Sequence, residues 1–288
     1  MRQNVIRKIV VGTDFNELAA AAIRFAGGIA ARAGAELVVV YADVFLPPTE
    51  FTAAQVKHIA ETIERSKSRT REQLEHHIRK HVPDGVVWKA TVADGLPAPA
   101  IAMIADAERA DFIAVGTHGR GGLQRLMMGS VAEAVIREAR VPVFTVRSTA
   151  NPDSIRRILC PINDTDTAVI ALEHAAIIAD ALGAELTLLH VSTAGDEKRL
   201  DVERLVPSRL PKATVLHRTV KHDDAAAEIL DVGDSGDYDL IVIGAEHKLV
   251  RDVTIFGATT ASVTRHARTP VLIVARQPAG GRGALPLL

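Results

Sequence analysis

The residues of this chain best suited to chemistry form a spaced group: Gly116-Thr117-His118-Gly119, nine residues, then Gly129-Ser130. An apolar run from Phe112 to Val115 precedes the group, and a helix pattern begins at Val131. A strand, a glycine-rich loop and a helix start, in that order, make a phosphate cradle. Glycines let main-chain N–H groups close on an anion, and the helix start adds unpaired donors and the positive end of its dipole. Arg120 and Arg125 lie inside the loop, where a guanidinium can meet phosphate charge with two hydrogen bonds. Ser130 and Glu133 have the spacing of a capping box, which places Ser130 at the N-cap. The competing reading is a turn whose glycines only close a strand-to-helix connection.

A cradle needs strands that end at one rim, and the chain supplies them. Residues 7–11 form a short buried-strand pattern ending at Gly12-Thr13-Asp14, followed by a helix pattern over Leu18 to Ala33. Gly34 stops that helix, and residues 36–41 form a second strand. After Pro47-Pro48 comes a long charged helix, Ala53 to His81, then a strand over Val86 to Val92 and a helix over Ala98 to Ala107. Phe112 to Val115, a helix to Ala139 and the strand Val143 to Val146 complete the series. Strict β-α alternation predicts an open parallel sheet with helices on both faces. In such sheets ligands bind beyond the C-terminal strand ends, where strand order reverses. Asp14, Ala42 and Gly116 each end a separate strand. A carboxylate at Asp14 can accept from an exocyclic amine, and a small side chain at Ala42 leaves room for a flat base. Asp14 is also a candidate cap for the first helix.

The pattern is then written again. Ala33-Gly-Ala-Glu-Leu37 recurs as Leu182-Gly-Ala-Glu-Leu186, and Asp111-Phe-Ile-Ala-Val-Gly116 as Asp239-Leu-Ile-Val-Ile-Gly244. Early matches differ by 149 positions (Gly34 and Gly183) and late ones by 128 (Gly116 and Gly244), so the second copy lacks 21 residues. The loss falls where the first copy has its long charged helix, leaving a shorter helix candidate over Glu197 to Leu205. Two copies mean two structural units. The expected division is residues 1–149, residues 154–278, and a flexible tail at 279–288. In the second unit Asn163 replaces Asp14, His247 replaces Gly119 and Ala258 replaces Ser130. Its loop carries Glu246 and Asp252, which repel phosphate, so a weakened second site is expected.

Two such units, each with Gly-x-x-Gly-x(9)-Gly-Ser or its relic, resemble a tandem universal stress protein over residues 5–147 and 155–276. The resemblance implies an adenine-nucleotide alpha-hydrolase-like fold: two tandem α/β domains, each an open five-stranded parallel sheet. It also implies that the first domain binds ATP or another adenine nucleotide, with or without Mg2+, and acts as a sensor or regulator in a stress response. The implied binding residues are Gly12, Thr13, Asp14, Ala42, Val115, Gly116, His118, Gly119, Arg120, Gly129, Ser130 and Val131. Asn16 stands where the family often has serine. Paired domains of the family associate through their last strands, here Val143–Val146 and Val271–Val274. That implies an intramolecular pseudo-dimer, with a homodimer and a protein partner as further expectations.

Composition narrows the field. The 288 residues carry 34 Lys+Arg against 35 Asp+Glu, a net charge of −1, which gives no general affinity for nucleic acid. The single cysteine, Cys160, precludes an intramolecular disulfide and fits a small buried strand residue. No apolar stretch approaches the roughly 20 residues of a membrane span, and residues 1–8 lack a signal-peptide core, so a cytoplasmic location is expected. His58, His76, His77 and His81 sit on the long charged helix without accompanying cysteines and read as a solvated face. Met127 and Met128 read as packing beneath the loop. The Walker pattern is absent, as is an evident water-positioning base, so ATP hydrolysis is expected to be slow at most.

Overall fold

The computed structural model describes residues 6–44, 53–117, 128–147, 155–193, 213–220, 224–250 and 253–275. Residues 53–62, 193, 213–220, 247–250 and 253–256 are described by their backbone alone. The predicted loop residues His118, Gly119 and Arg120, the seam at 148–154, the helix over 197–205 and the tail at 279–288 lie outside the described residues.

The first half runs β1 (Lys8–Thr13), α1 (Glu17–Ala33), β2 (Glu36–Asp43), α2 (Ala53–His81), β3 (Trp88–Asp94), α3 (Pro97–Glu108), β4 (Phe112–Gly116), α4 (Ser130–Glu138) and β5 (Val143–Val146). The second half runs β6 (Arg157–Pro161), α5 (Asp166–Leu182), β7 (Glu185–Thr193), β8 (Ala213–Val220), α6 (Ala225–Gly233) and β9 (Leu240–Ala245). It ends with β10 (His247–Val250), β11 (Val253–Phe256), α7 (Ala258–His266) and β12 (Val271–Ala275). The expected α/β architecture is therefore present twice.

Ten strands form one sheet in the order β3-β2-β1-β4-β5-β12-β9-β6-β7-β8. In this sheet the pairs within each half are all parallel, and β10 and β11 form a separate antiparallel pair. The halves join where β12 runs antiparallel to β5, with Val271 opposite Thr145 and Ile273 opposite Val143. Alternation along the strands divides the core in two. Ile9, Val11, Phe112, Ala114, Phe144 and Val146 face α1, α2 and α5. Val10, Ile113, Val115 and Val143 face α3, α4, α6 and α7. Nearly continuous apolar strands are what a sheet covered on both faces requires.

Local chemistry explains the repeats. Helix α1 is capped by Asn16, whose side chain accepts from the Ala19 N–H at 2.7 Å, and it stops at Gly34 with φ 69°. Helix α5 repeats this with Thr165 as cap and Gly183 at φ 59°; a left-handed terminal residue favours glycine. The carboxylate of Asp111 accepts from the N–H groups of Arg7 (2.7 Å) and Lys8 (2.9 Å). Asp239 does the same for Arg156 (2.8 Å) and Arg157 (3.0 Å). The recurring aspartate thus pins the start of the central strand in each half. Arg32 clasps the halves together, donating to the carbonyls of Ile155 (2.9 Å) and Leu182. Among the described residues no helix is long and apolar enough to cross a membrane.

Candidate functional site

A cleft opens at the C-terminal ends of β1, β2 and β4, where strand order reverses. Its empty space is about 660 Å³, the open solvent at its mouth included. Gly12, Thr13 and Asp14 form one side, Tyr41 and Ala42 the next, Val115 and Gly116 the base, and Gly129, Ser130 and Val131 the far wall. All nine sequence-predicted residues that are described converge here. Four lining residues carried no sequence signal: Ala19 from α1, Pro97 and Ile101 from α3, and Ala132 from α4. Tyr41 was also missed; it stands beside Thr13 in the β1–β2 register.

The geometry corrects two capping assignments. Gly129, not Ser130, is the N-cap of α4, with extended dihedrals and no side-chain cap bond. Ser130 takes helical geometry as the first residue, so the capping box with Glu133 does not form. Its hydroxyl is left at the cleft wall beside the unpaired N–H groups of the helix start. Asp14 does not cap α1 either. Its carboxylate accepts from the Asn16 main-chain N–H (3.2 Å) and from the Asn16 side-chain amide (3.0 Å), bracing the true cap.

Between Asp14 and Asn16 the chain makes a turn with φ 66° at Phe15. That conformation is strained for an aromatic residue. It is held by packing: the Phe15 ring lies 4.9 Å from Tyr41 and 5.4 Å from His77, centroid to centroid. His77 in turn makes an edge contact with His81 at 4.7 Å, and the His81 ring nitrogen Nδ1 meets Arg24 at 3.1 Å. These two histidines are not a solvated face, as sequence suggested, but the inner side of α2 against α1. Burial lowers the His77 pKa first, with His81, Lys80 and Arg24 adding to it and Glu17 opposing. Burial likewise lowers that of His81. Nε2 of His77 is buried without a hydrogen-bond partner. Among the described residues no group of three or more His, Cys, Asp or Glu side chains is placed to hold a metal.

Gly116 has a packing role in addition to its place in the cleft. A Cβ there would lie 2.8 Å from the Leu18 carbonyl carbon and oxygen and 3.1 Å from the Ala19 nitrogen. The equivalent Gly244 meets the Thr167 oxygen at 2.6 Å. This glycine therefore recurs because β4 and β9 run against the main chain at the start of α1 and α5.

The second half differs at the matching positions. The 149-residue offset puts Pro161, Ile162 and Asn163 where the first half has Gly12, Thr13 and Asp14. Pro161 and Ile162 are buried. Here β10 and β11 form an antiparallel pair from His247–Phe256 to Val250–Val253. Ladder pairing commits much of this main chain to itself, and Ala258 starts α7 without a hydroxyl.

The sequence pattern of the universal stress protein family matches residues 6–147 and 154–275. A universal stress protein of Methanocaldococcus jannaschii is 32% identical over 146 residues, 50% of this chain and 84% of that one. One from Mycolicibacterium smegmatis is 26% identical over 289 residues, 92% of this chain and 96% of its own length. The alignment with a Mycobacterium tuberculosis relative at 32% identity spans 45% of that protein. The crystal structure of a universal stress protein from Archaeoglobus fulgidus superposes with a TM-score of 0.72, covering 96% of this chain and 100% of that one at 21% identity. The chain belongs to the universal stress protein family and carries two copies of its domain in one polypeptide.

Proposed function

We propose that the first domain, residues 1–149, binds an adenine nucleotide, ATP foremost, and that its occupancy is the signal this protein passes to a partner. The observation that carries the reading is the convergence of Asp14, the apolar walls at Tyr41, Ala42 and Ile101, and the start of α4 at Gly129–Val131 around one cleft. Asp14 offers acceptor oxygens to a base, Ala42 leaves space for base and ribose, and the start of α4 presents the N–H groups of Ser130 and Val131 and the Ser130 hydroxyl to phosphate. By the family motif alone, His118, Gly119 and Arg120 belong to the same phosphate loop; they lie outside the described residues. Mg2+ would arrive with the phosphates, since it keeps several waters and uses phosphate oxygens.

The second domain, residues 154–278, is in this reading the half that does not bind nucleotide, its cleft positions filled by Pro161 and Ile162. The nucleotide acts by changing a surface that the partner reads, and a ligand shifts such a balance only by its difference in affinity for the two states. Isothermal titration with ATP tests the proposal. One site per chain is expected, with a weaker one after Asp14→Ala. Saturation near 100 Kd should stabilise the fold by about 2.7 kcal/mol. No heat, no thermal shift at millimolar ATP and no copurified nucleotide by mass spectrometry would refute it. Two equal sites would refute the division of labour.

A further inference from the structure

We propose that Arg147 is a phosphate-binding residue of the first-half cleft, and that the second half of the chain holds it in place. The inference rests on the nucleotide reading above and gives the second half a part in that site.

Strand β5 pairs with β4 so that Val146 lies beside Gly116. The Thr117 N–H donates to the Val146 carbonyl at 3.1 Å, and the Gly129 N–H donates to the Thr117 carbonyl. Arg147, one residue further, therefore sits next to the point where the phosphate loop leaves the sheet and returns to it. Alternation sets the direction of its side chain. Phe144 and Val146 face α1, whereas Val143 faces α3 and α4. Arg147 shares the parity of Val143 and so belongs to the face that carries the cleft walls Ile101 and Ala132.

The antiparallel joint brings the second half to the same end. Because Val271 lies opposite Thr145, the turn between α7 and β12 reaches the rim where β5 ends. There the Thr145 hydroxyl donates to the Val271 carbonyl at 3.3 Å, and Nη2 of Arg147 donates to the Arg265 carbonyl at 2.5 Å. Among the described residues that carbonyl is the one acceptor Arg147 has. The carboxylate whose field it feels is Asp234, and both Asp234 oxygens already accept from the main chain at Arg268 and Thr269. Burial lowers the pKa of the Arg147 guanidinium, opposed by Asp234. A half-buried cation with five N–H donors and one neutral acceptor has its remaining donors available for an anion, and a guanidinium grips phosphate through two of them. The 128-residue offset places Ala275 at the equivalent position of the second half, so the cation is lost there together with the serine and the aspartate.

The test compares ATP, ADP, AMP and adenosine on the full chain by titration calorimetry. The variants are Arg147→Gln, which keeps a donor for the Arg265 carbonyl, Arg147→Lys, and Arg265→Gln as a control that leaves that carbonyl in place. Arg147→Gln should weaken ATP about tenfold, the loss of one charge-assisted contact, while adenosine stays within about twofold. Arg147→Lys should fall between, and Arg265→Gln should match the unaltered chain. Melting curves confirm that each variant is folded. Equal losses for ATP and adenosine, or an unchanged ATP affinity, would overturn the assignment of Arg147 while leaving the nucleotide reading intact. An unaltered chain that binds none of the four overturns both.

Discussion

Replacing Gly116 by alanine tests the packing of the site against the fold. The new Cβ would sit 2.8 Å from two main-chain atoms of Leu18 and 3.1 Å from the nitrogen of Ala19. Ordinary carbon contacts lie near 3.5–4.0 Å, so α1 and β4 must part by about 0.7 Å. No side chain can rotate to relieve this, because the atoms in the way are backbone. Overpacking of this kind costs about 1–3 kcal/mol, more than the roughly 0.4–1 kcal/mol gained by reducing the freedom of the unfolded chain. Urea unfolding should show the loss, and heating should show about 2–4 °C per kcal/mol. Gly244→Ala is the matched control, with a Cβ 2.6 Å from the Thr167 oxygen, and it should destabilise to a similar degree. Only Gly116→Ala displaces Ala19, which lines the cleft, so only it should weaken ATP binding. A Gly116→Ala protein as stable as the parent would refute the close-approach argument. Equal loss of ATP affinity in both variants would refute the separation of roles.

Three further outcomes are expected. Asp111→Ala strands two main-chain donors at the start of β1, one of them part-buried, and should cost about 1–3 kcal/mol in urea unfolding; Asp239→Ala should do likewise. His77 titrates below its ordinary 6.5 when folded, so the unfolded chain binds its proton first as pH falls. Its contribution is complete above about pH 6.5 and is lost as pH drops through the folded value; His77→Phe should flatten that limb of the stability profile. Burial pushes the Cys160 thiol up to about 12, so alkylation at pH 8 should label it only after unfolding.

The strands were legible because a sheet covered on both faces writes long apolar runs, and Ala53–His81 was legible from end to end because its apolar positions recur along a charged helix. Caps were less so. Ser130 and Glu133 satisfy a spacing that many helices satisfy, but the chain turns helical one residue before that spacing requires, at Ser130, with Gly129 as the cap. Asp14 looked like a cap because it precedes the helix, while the cap proper, Asn16, depends on a left-handed turn at Phe15 that an aromatic residue does not advertise. Tyr41, Pro97 and Ile101 enter the cleft only after β2 and α3 are packed, which no local pattern encodes. The pairing of β10 and β11 was hidden because that stretch was matched to the glycine loop of the first copy, and not read for the apolar residues Leu249, Val250, Val253, Ile255 and Phe256 on either side of Arg251-Asp252.

The seam between β5 and β12 also settles how the two halves respond to dilution. When such a joint forms between separate chains, its occupancy depends on how many chains are present. Here both strands belong to one polypeptide, so closure is an intramolecular event set by an effective concentration that the tether fixes. The rim formed where β5 ends and β12 begins therefore exists in a single molecule, however dilute the protein is.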